Sequence, residues 1–156
     1  MKKICCVILS VLLVCSLFCL SGCKEKVSVD AAAFTSAMEE LGYTVKSESY
    51  QFQGATKEIK VYLAYDNDGN DLIEFYVLDS AETAVALFND NKAFFESSVS
   101  GASSKSSVSA ANYNTFRLTA DGEFKVLSRI DNTMVFVSVP TEYKDAVNTA
   151  LDKIGY

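Results

Sequence analysis

The residues best equipped for chemistry in this chain are carboxylates. Asp66, Asp68, Asp71 and Glu74 cluster around the hexapeptide DNDGND. Several oxygen ligands on one loop suit a hard cation such as calcium. An EF-hand loop, however, puts its glycine sixth and its last glutamate twelfth, and counted from Asp66 both Gly69 and Glu74 come too early. Asp and Gly also favour turns for their backbone preferences alone, which is the better account of the cluster, so no metal and no cofactor is expected. Glu39, Glu40, Glu74 and Glu123 offer, on paper, the two carboxyl groups a glycosidase uses. Glu39 and Glu40 fall on an amphipathic helical pattern and read more simply as its solvated face.

Two further sets have binding chemistry. Arg117 and Arg129 are the only arginines and lie on neighbouring predicted strands. They either clamp an anionic ligand or pair with surface acids. Tyr62 and Tyr76, with Tyr43, Tyr50, Phe52 and Tyr113, are candidates for a ligand-facing aromatic surface. The same residue types are preferred in sheets for packing. Tyr62 and Tyr76 are expected opposite the main apolar stripe, where they meet a second helix layer or form a recognition patch.

The absences narrow the choice. The chain has no histidine, so Ser–His–Asp and Cys–His catalysis and the commonest metal ligand are unavailable. No glycine-rich phosphate loop occurs, nor any Ser-x-x-Lys after residue 22. Net charge is −6, and −8 once residues 1–22 with their two lysines are set aside. Such a surface repels nucleic acid. The expectation is a non-catalytic binding module rather than an enzyme.

All five cysteines, at positions 5, 6, 15, 19 and 23, precede residue 24. Met1-Lys2-Lys3 and the apolar run Ile4–Leu20 describe a secretory signal peptide. The run is short of the roughly 20 residues a bilayer span takes, which disfavours an uncut hydrophobic anchor. Leu20-Ser21-Gly22-Cys23 resembles the lipobox of bacterial lipoproteins: an aliphatic residue, two small residues, then cysteine. The resemblance implies that the Cys23 thiol receives a diacylglycerol and that residues 1–22 are removed. It also implies that the remainder is held at the outer side of the cell membrane. Cys5, Cys6, Cys15 and Cys19 then serve as small apolar residues in a discarded segment. The thiol-free remainder suits an oxidising compartment. Two acyl chains, at about 0.8 kcal/mol per buried methylene, hold a protein stably. Lys24 and Lys26 either add attraction to anionic headgroups or sit in a solvated linker.

Residues 23–29 read as a tether and 30–156 as one α+β domain with three helices and a mainly antiparallel sheet. Asp30 is the expected N-cap of a helix over 30–41 closed by Gly42, and Tyr43–Tyr50 reads as a strand. Strands are expected over Lys57–Tyr65 and Leu72–Leu78, joined at Asp68-Gly69. Ser80 caps a helix over 81–97. The Ser-rich stretch at about 97–112 is expected to be a loop, disordered in preference to functional. Strands over Tyr113–Thr119, Phe124–Ile130 and Met134–Val139 follow, turning at Asp121-Gly122 and Asp131-Asn132. Pro140 stops the sheet, Thr141 caps the last helix and Gly155 ends it. VYLAYDNDGNDLIEFYVLDSAETAVAL and FKVLSRIDNTMVFVSVPTEYKDAVNTAL share an element order. They form two helix–three-strand repeats with a closing helix, or two unrelated copies of a common unit. In outline this layout resembles small extracytoplasmic lipoproteins of Gram-positive bacteria whose function is unassigned. The expected partners are the membrane, through the lipid, and an unidentified envelope protein or ligand. The alternatives are a structural subunit of an envelope assembly and a carboxylate-dependent hydrolase.

Replacing the lipobox thiol tests the anchor directly. Cys23→Ala is expected to accumulate as a precursor retaining residues 1–22 and to incorporate no labelled fatty acid in growing cells. Normal labelling of that variant would remove the anchor.

Overall fold

A computed structural model describes residues 25–50, 59–66, 68–69 and 72–156. The lipobox, Lys24, Phe52 and Asp71 lie outside them. The elements run α1 (Ala31–Glu40), β1 (Thr44–Tyr50), β2 (Ile59–Tyr65), β3 (Leu72–Val77) and α2 (Ala81–Ser97), then β4 (Ser103–Ser109), β5 (Tyr113–Ala120), β6 (Glu123–Ile130), β7 (Thr133–Pro140), a 3₁₀ turn (Thr141–Tyr143) and α3 (Lys144–Ile154). One seven-stranded antiparallel sheet has the order β1-β2-β3-β7-β6-β5-β4. The fold is α+β, with three α-helices among the described residues.

Local signals set the boundaries. Asp30 Oδ1 accepts the Ala33 N–H at 2.8 Å and Ser80 Oγ accepts the Thr83 N–H at 3.1 Å. Each such cap stabilises its helix by about 1 kcal/mol. Gly42 (φ +87°) and Gly155 (φ +79°) take the left-handed conformation that ends α1 and α3. Asp121 (φ +53°) and Gly122 (φ +81°) form a two-residue turn between Ala120 and Glu123, whose twist matches the strands it joins. Asp131, also left-handed at φ +49°, begins the turn between β6 and β7.

Two expectations are corrected. Thr141 does not cap the last helix: its N–H donates to Gly122 O at 2.9 Å, and its carbonyl accepts from Lys144 across the 3₁₀ turn. The Ser-rich stretch is not a disordered loop. Ser103–Ser109 is β4, paired with β5 along its whole length. Its side chains are all exposed, so burial imposes no apolar period. Backbone pairing holds it instead, helped by Ser100 N–H on Asp121 Oδ2 (3.3 Å), Asn114 Nδ2 on Ser109 Oγ (2.8 Å) and the Lys105–Glu96 ion pair (3.3 Å).

Helices cover both faces of the sheet. On one face α1 and α3 bury Phe34, Met38, Val147 and Leu151 against Ile73, Phe75, Val126, Val135 and Val137. Phe75 stacks on Phe34 with centroids 4.6 Å apart and meets Tyr156 edge-on at 6.1 Å. The Tyr156 hydroxyl bonds the Thr133 hydroxyl, which donates to Ile130 O at 2.7 Å. Burial pushes the Tyr156 phenol up to about 12. On the other face Phe88 and Phe95 of α2 pack with Phe116, Leu127 and Phe136. The two similar segments correspond to β2–β3–α2 and β6–β7–α3, with β3 and β7 side by side. The helices break the repeat, because α2 and α3 lie on opposite faces, and β4 extends only the second half. Among the described residues, no helix is long and apolar enough to cross a membrane.

Phe75 is fully buried at the centre of this packing. Phe75→Ala is expected to cost about 3–5 kcal/mol, read as a fall in the urea midpoint. Val85→Ala, at an exposed site on α2, is expected to stay within about 0.5 kcal/mol of the parent.

Candidate functional site

Strand parity decides which candidates meet. In the β2–β3 register Tyr62 faces Phe75 and Val61 faces Tyr76, so Tyr62 and Tyr76 point to opposite sides and form no joint patch. Tyr62 meets the α1 layer, tilted against Phe75 at 6.4 Å. It lines a groove of about 400 Å³ with Ser28, Asp30, Lys60 and Asn132. Tyr43 and Tyr113 pack against the same core.

The arginines separate in the same way. Arg117 pairs with Val126 and Arg129 with Asn114, so they project from opposite faces and cannot clamp one ligand. Among the described residues neither takes an acid side chain as its direct partner. Arg117 Nη1 donates to Asn148 Oδ1 on α3. Arg129, 3% exposed, donates from Nε to Asn114 Oδ1 (2.8 Å) and from Nη1 to Asp131 O (3.0 Å). Burial lowers its pKa, against the pull of the nearby Asp131 carboxylate.

At the acidic hairpin the described residues form a turn. Asp66 Oδ1 accepts the Asp68 N–H at 3.0 Å and Asp66 O accepts the Gly69 N–H at 3.2 Å, with Gly69 left-handed at φ +71°. Glu74 stands further along β3, within the sheet. No group of three or more metal-ligating side chains occurs among the described residues. The four carboxylates weighed for a catalytic pair are spread over three elements: Glu39 and Glu40 on α1, Glu74 on β3 and Glu123 at the start of β6. Glu40 is engaged by Lys153 at 2.8 Å and Glu123 by Lys125 at 2.7 Å.

The structure does gather one polar–aromatic constellation, on the α2 side of β1–β3. Across the strands Glu48, Val61 and Tyr76 form one row, and Lys46, Leu63 and Glu74 the next. Tyr50 and Tyr65 extend the same face at either end. Lys46, Glu48 and Tyr50 are exposed, while Leu63, Tyr65, Glu74 and Tyr76 are half-buried. The α2 helix packs over β5, β6 and β7, to the side of this surface. The Tyr50 hydroxyl donates to Glu48 Oε2 and the Tyr76 hydroxyl to Glu74 Oε2. The Lys46 ammonium sits 5.0 Å from the Tyr65 ring centroid. Tyr50, Glu74 and Tyr76 were visible as candidates; Lys46, Glu48 and Tyr65 were missed. The alternation in TVKSESY puts Lys46, Glu48 and Tyr50 on one side and was the available signal.

Burial raises the Glu74 carboxyl above its ordinary range, partly offset by the Tyr76 hydroxyl. Burial, and then the Glu74 carboxylate, drive the Tyr76 phenol well up. Hydrogen bonding to Glu48 raises Tyr50. Both phenols therefore stay protonated at neutral pH and act as hydrogen-bond donors, not bases. Two carboxylates, each carrying a tyrosine hydroxyl, stand beside aromatic rings, a set of groups with the chemistry to hold cations and hydrogen-bond donors.

A carboxyl whose pKa is higher folded than unfolded stabilises the fold below the unfolded value and loses that contribution as pH rises through the folded one. The parent is therefore expected to match Glu74→Gln below about pH 4 and to lose stability relative to it toward neutrality. Urea unfolding of both proteins across that range checks this; a pH-independent difference would sink it. Comparison of the chain with protein families, with curated proteins and with solved structures found no match.

Proposed function

We propose that this protein is a membrane-anchored extracytoplasmic lipoprotein that works as a non-catalytic binding module. Its recognition surface is the tyrosine–glutamate face of β1–β3. The lipobox-like Leu20-Ser21-Gly22-Cys23 and the absence of cysteine after it support the location. The observation that carries the binding role is the grouping of Glu48, Tyr50, Glu74 and Tyr76 on one partly exposed sheet face.

The chemistry of that face defines its partner. Exposed Tyr50 supplies a large, rigid contact with few rotamers to lose. The two carboxylates favour lysine, arginine or amine groups, in keeping with a domain whose overall charge is negative. A protein or envelope component presenting basic groups is the occupant this surface fits. Close charge pairs of that kind speed association and set register more than they add raw affinity.

In-cell photocrosslinking tests the reading. A photoreactive residue at Tyr50 is expected to trap a discrete partner, and one at Asp145, exposed on α3, is not. Glu48→Lys, an exposed change outside the core, is expected to abolish the Tyr50 product while leaving the amount of folded protein unchanged. The same products from both positions, or a Tyr50 product indifferent to Glu48→Lys, would overturn the proposal.

A further inference from the structure

The residues just after the proposed lipid site are fastened to one end of the domain. The Lys26 N–H donates to Asn112 Oδ1 at 3.3 Å, and its carbonyl accepts from Asn112 Nδ2 at 2.7 Å. One asparagine side chain thus satisfies both backbone groups of Lys26. The Lys26 ammonium donates to Gly155 O at 3.0 Å and lies 5.4 Å from the Tyr113 ring centroid. Three residues on, Val29 packs against the core, and Asp30 caps α1.

Those contacts sit at a defined pole of the sheet. The strand ends at Tyr50, Ile59, Val77, Ile130, Thr133 and Tyr113 all lie there, as the registers require. The starts of α1 and α2 and the end of α3 are at this pole too: Leu78 N–H bonds Asn132 O just before Ser80, and Tyr156 bonds Thr133. The opposite pole carries the Asp66–Gly69 and Asp121–Gly122 turns, Gly42 and the Thr141–Tyr143 turn. Eight-residue strands such as β6 separate the two poles by about 26 Å at roughly 3.3 Å per residue.

Cys23 stands three residues before Lys26. Three residues of fully extended chain reach at most about 11 Å. The anchored cysteine therefore stays closer to the Lys26 pole than the sheet is long. We propose that the pole bearing Asn112, Tyr113, Asn132 and Gly155 is the surface that faces the lipid bilayer, and that the Asp66–Gly69 and Asp121–Gly122 turns form the tip pointing away from it. This rests on the lipid-anchor reading above. It adds that the domain does not swing freely on its tether, because the tether is pinned by Asn112 from Lys26 onward.

The absence of cysteine after residue 23 makes the test practical. Single cysteines are placed at exposed sites in the full, lipidated protein: Ala32 and Glu82 in the first turns of α1 and α2 near the pinned pole, Asp68 and Glu142 at the far pole. Each protein is labelled with a fluorophore and reconstituted into phosphatidylcholine–phosphatidylglycerol vesicles carrying a headgroup nitroxide quencher. Ala32→Cys and Glu82→Cys are expected to be quenched several-fold more than Asp68→Cys and Glu142→Cys. Inserting about 12 Gly/Ser residues before Lys26, a coil of roughly 19 Å end to end, together with Asn112→Ala, is expected to erase the contrast. Equal or reversed quenching in a protein that carries fatty acid and floats with the vesicles would overturn the orientation alone. A chain that carries no fatty acid and does not float would overturn the anchor, and the orientation with it.

Discussion

The pairing of β3 with β7 holds the molecule together. Among the described strands each half of the sheet pairs neighbours in sequence, and within the sheet this pair joins the halves, through Ile73 against Val137 and Phe75 against Val135. The partners lie about sixty residues apart, so the contact carries a loop-closure cost that neither half alone bears. Its register also fixes side-chain parity. With Ile73 and Phe75 beneath α1 and α3, Glu74 and Tyr76 must point to the other side. A slip of one residue would drive the Glu74 carboxylate under Phe34 and Tyr156 and expose Phe75, reversing every side chain of β3 at once. The hydrophobic stack and the proposed recognition face are thus two sides of one constraint.

The sheet's two edges are built to discourage pairing with a second chain. The edge strands read TVKSESY and SSKSSVS, polar along most of their length with a lysine in each. Such edges offer little to a second chain seeking to extend the sheet. The apolar residues are concentrated in β2, β3, β6 and β7, which are inner strands. The polar side chains of β1 therefore sit next to the well-packed centre without belonging to it. Lys46, Glu48 and Tyr50 can vary in position with little cost to the core, while Glu74 and Tyr76 are held rigidly from behind by Phe75.

How much of this was legible depends on what each feature needs in order to be seen. Caps and turns are local, and Asp30, Ser80, Gly42, Gly155 and the Asp121-Gly122 turn announced themselves correctly. Helical spacing also marks Tyr143, Ala146, Val147, Ala150, Leu151 and Ile154 as an apolar face of α3, of which the last four are buried and Ala146 is exposed. The Ser-rich β4 was invisible because a fully exposed strand has no apolar alternation to detect. Parity is legible in the sequence. A two-residue turn at Asp121-Gly122 places Arg117 opposite Val126. Arg129 lies three residues from Val126, an odd step, so the turn already forbids an Arg117–Arg129 clamp. The masking of Tyr62 from Tyr76 follows the same rule. By contrast, the β3–β7 junction and the side chosen by each helix depend on non-local packing, which no window of sequence contains.

Order along the strands gives the candidate surface a direction. Tyr50 and Ile59 end at the pole that holds Lys26. The Glu48–Tyr76 row follows about 7 Å further along, two residues at roughly 3.3 Å each, then the Lys46–Glu74 row, then Tyr65. A partner lying along the strands meets an aromatic ring, two staggered carboxylates and a second ring capped by an ammonium, in that sequence. The carboxylates are not equivalent: Glu48 is exposed and Glu74 half-buried, with a carboxyl raised by that burial. An approaching cation is attracted first by the solvated Glu48. It gains most where it displaces water from Glu74, whose charge is poorly solvated in the unbound protein and therefore has most to gain from a counter-charge. The rigid β3 backbone, fixed by its pairing with β7, holds that second carboxylate in place before the partner arrives, which lowers the ordering cost of association.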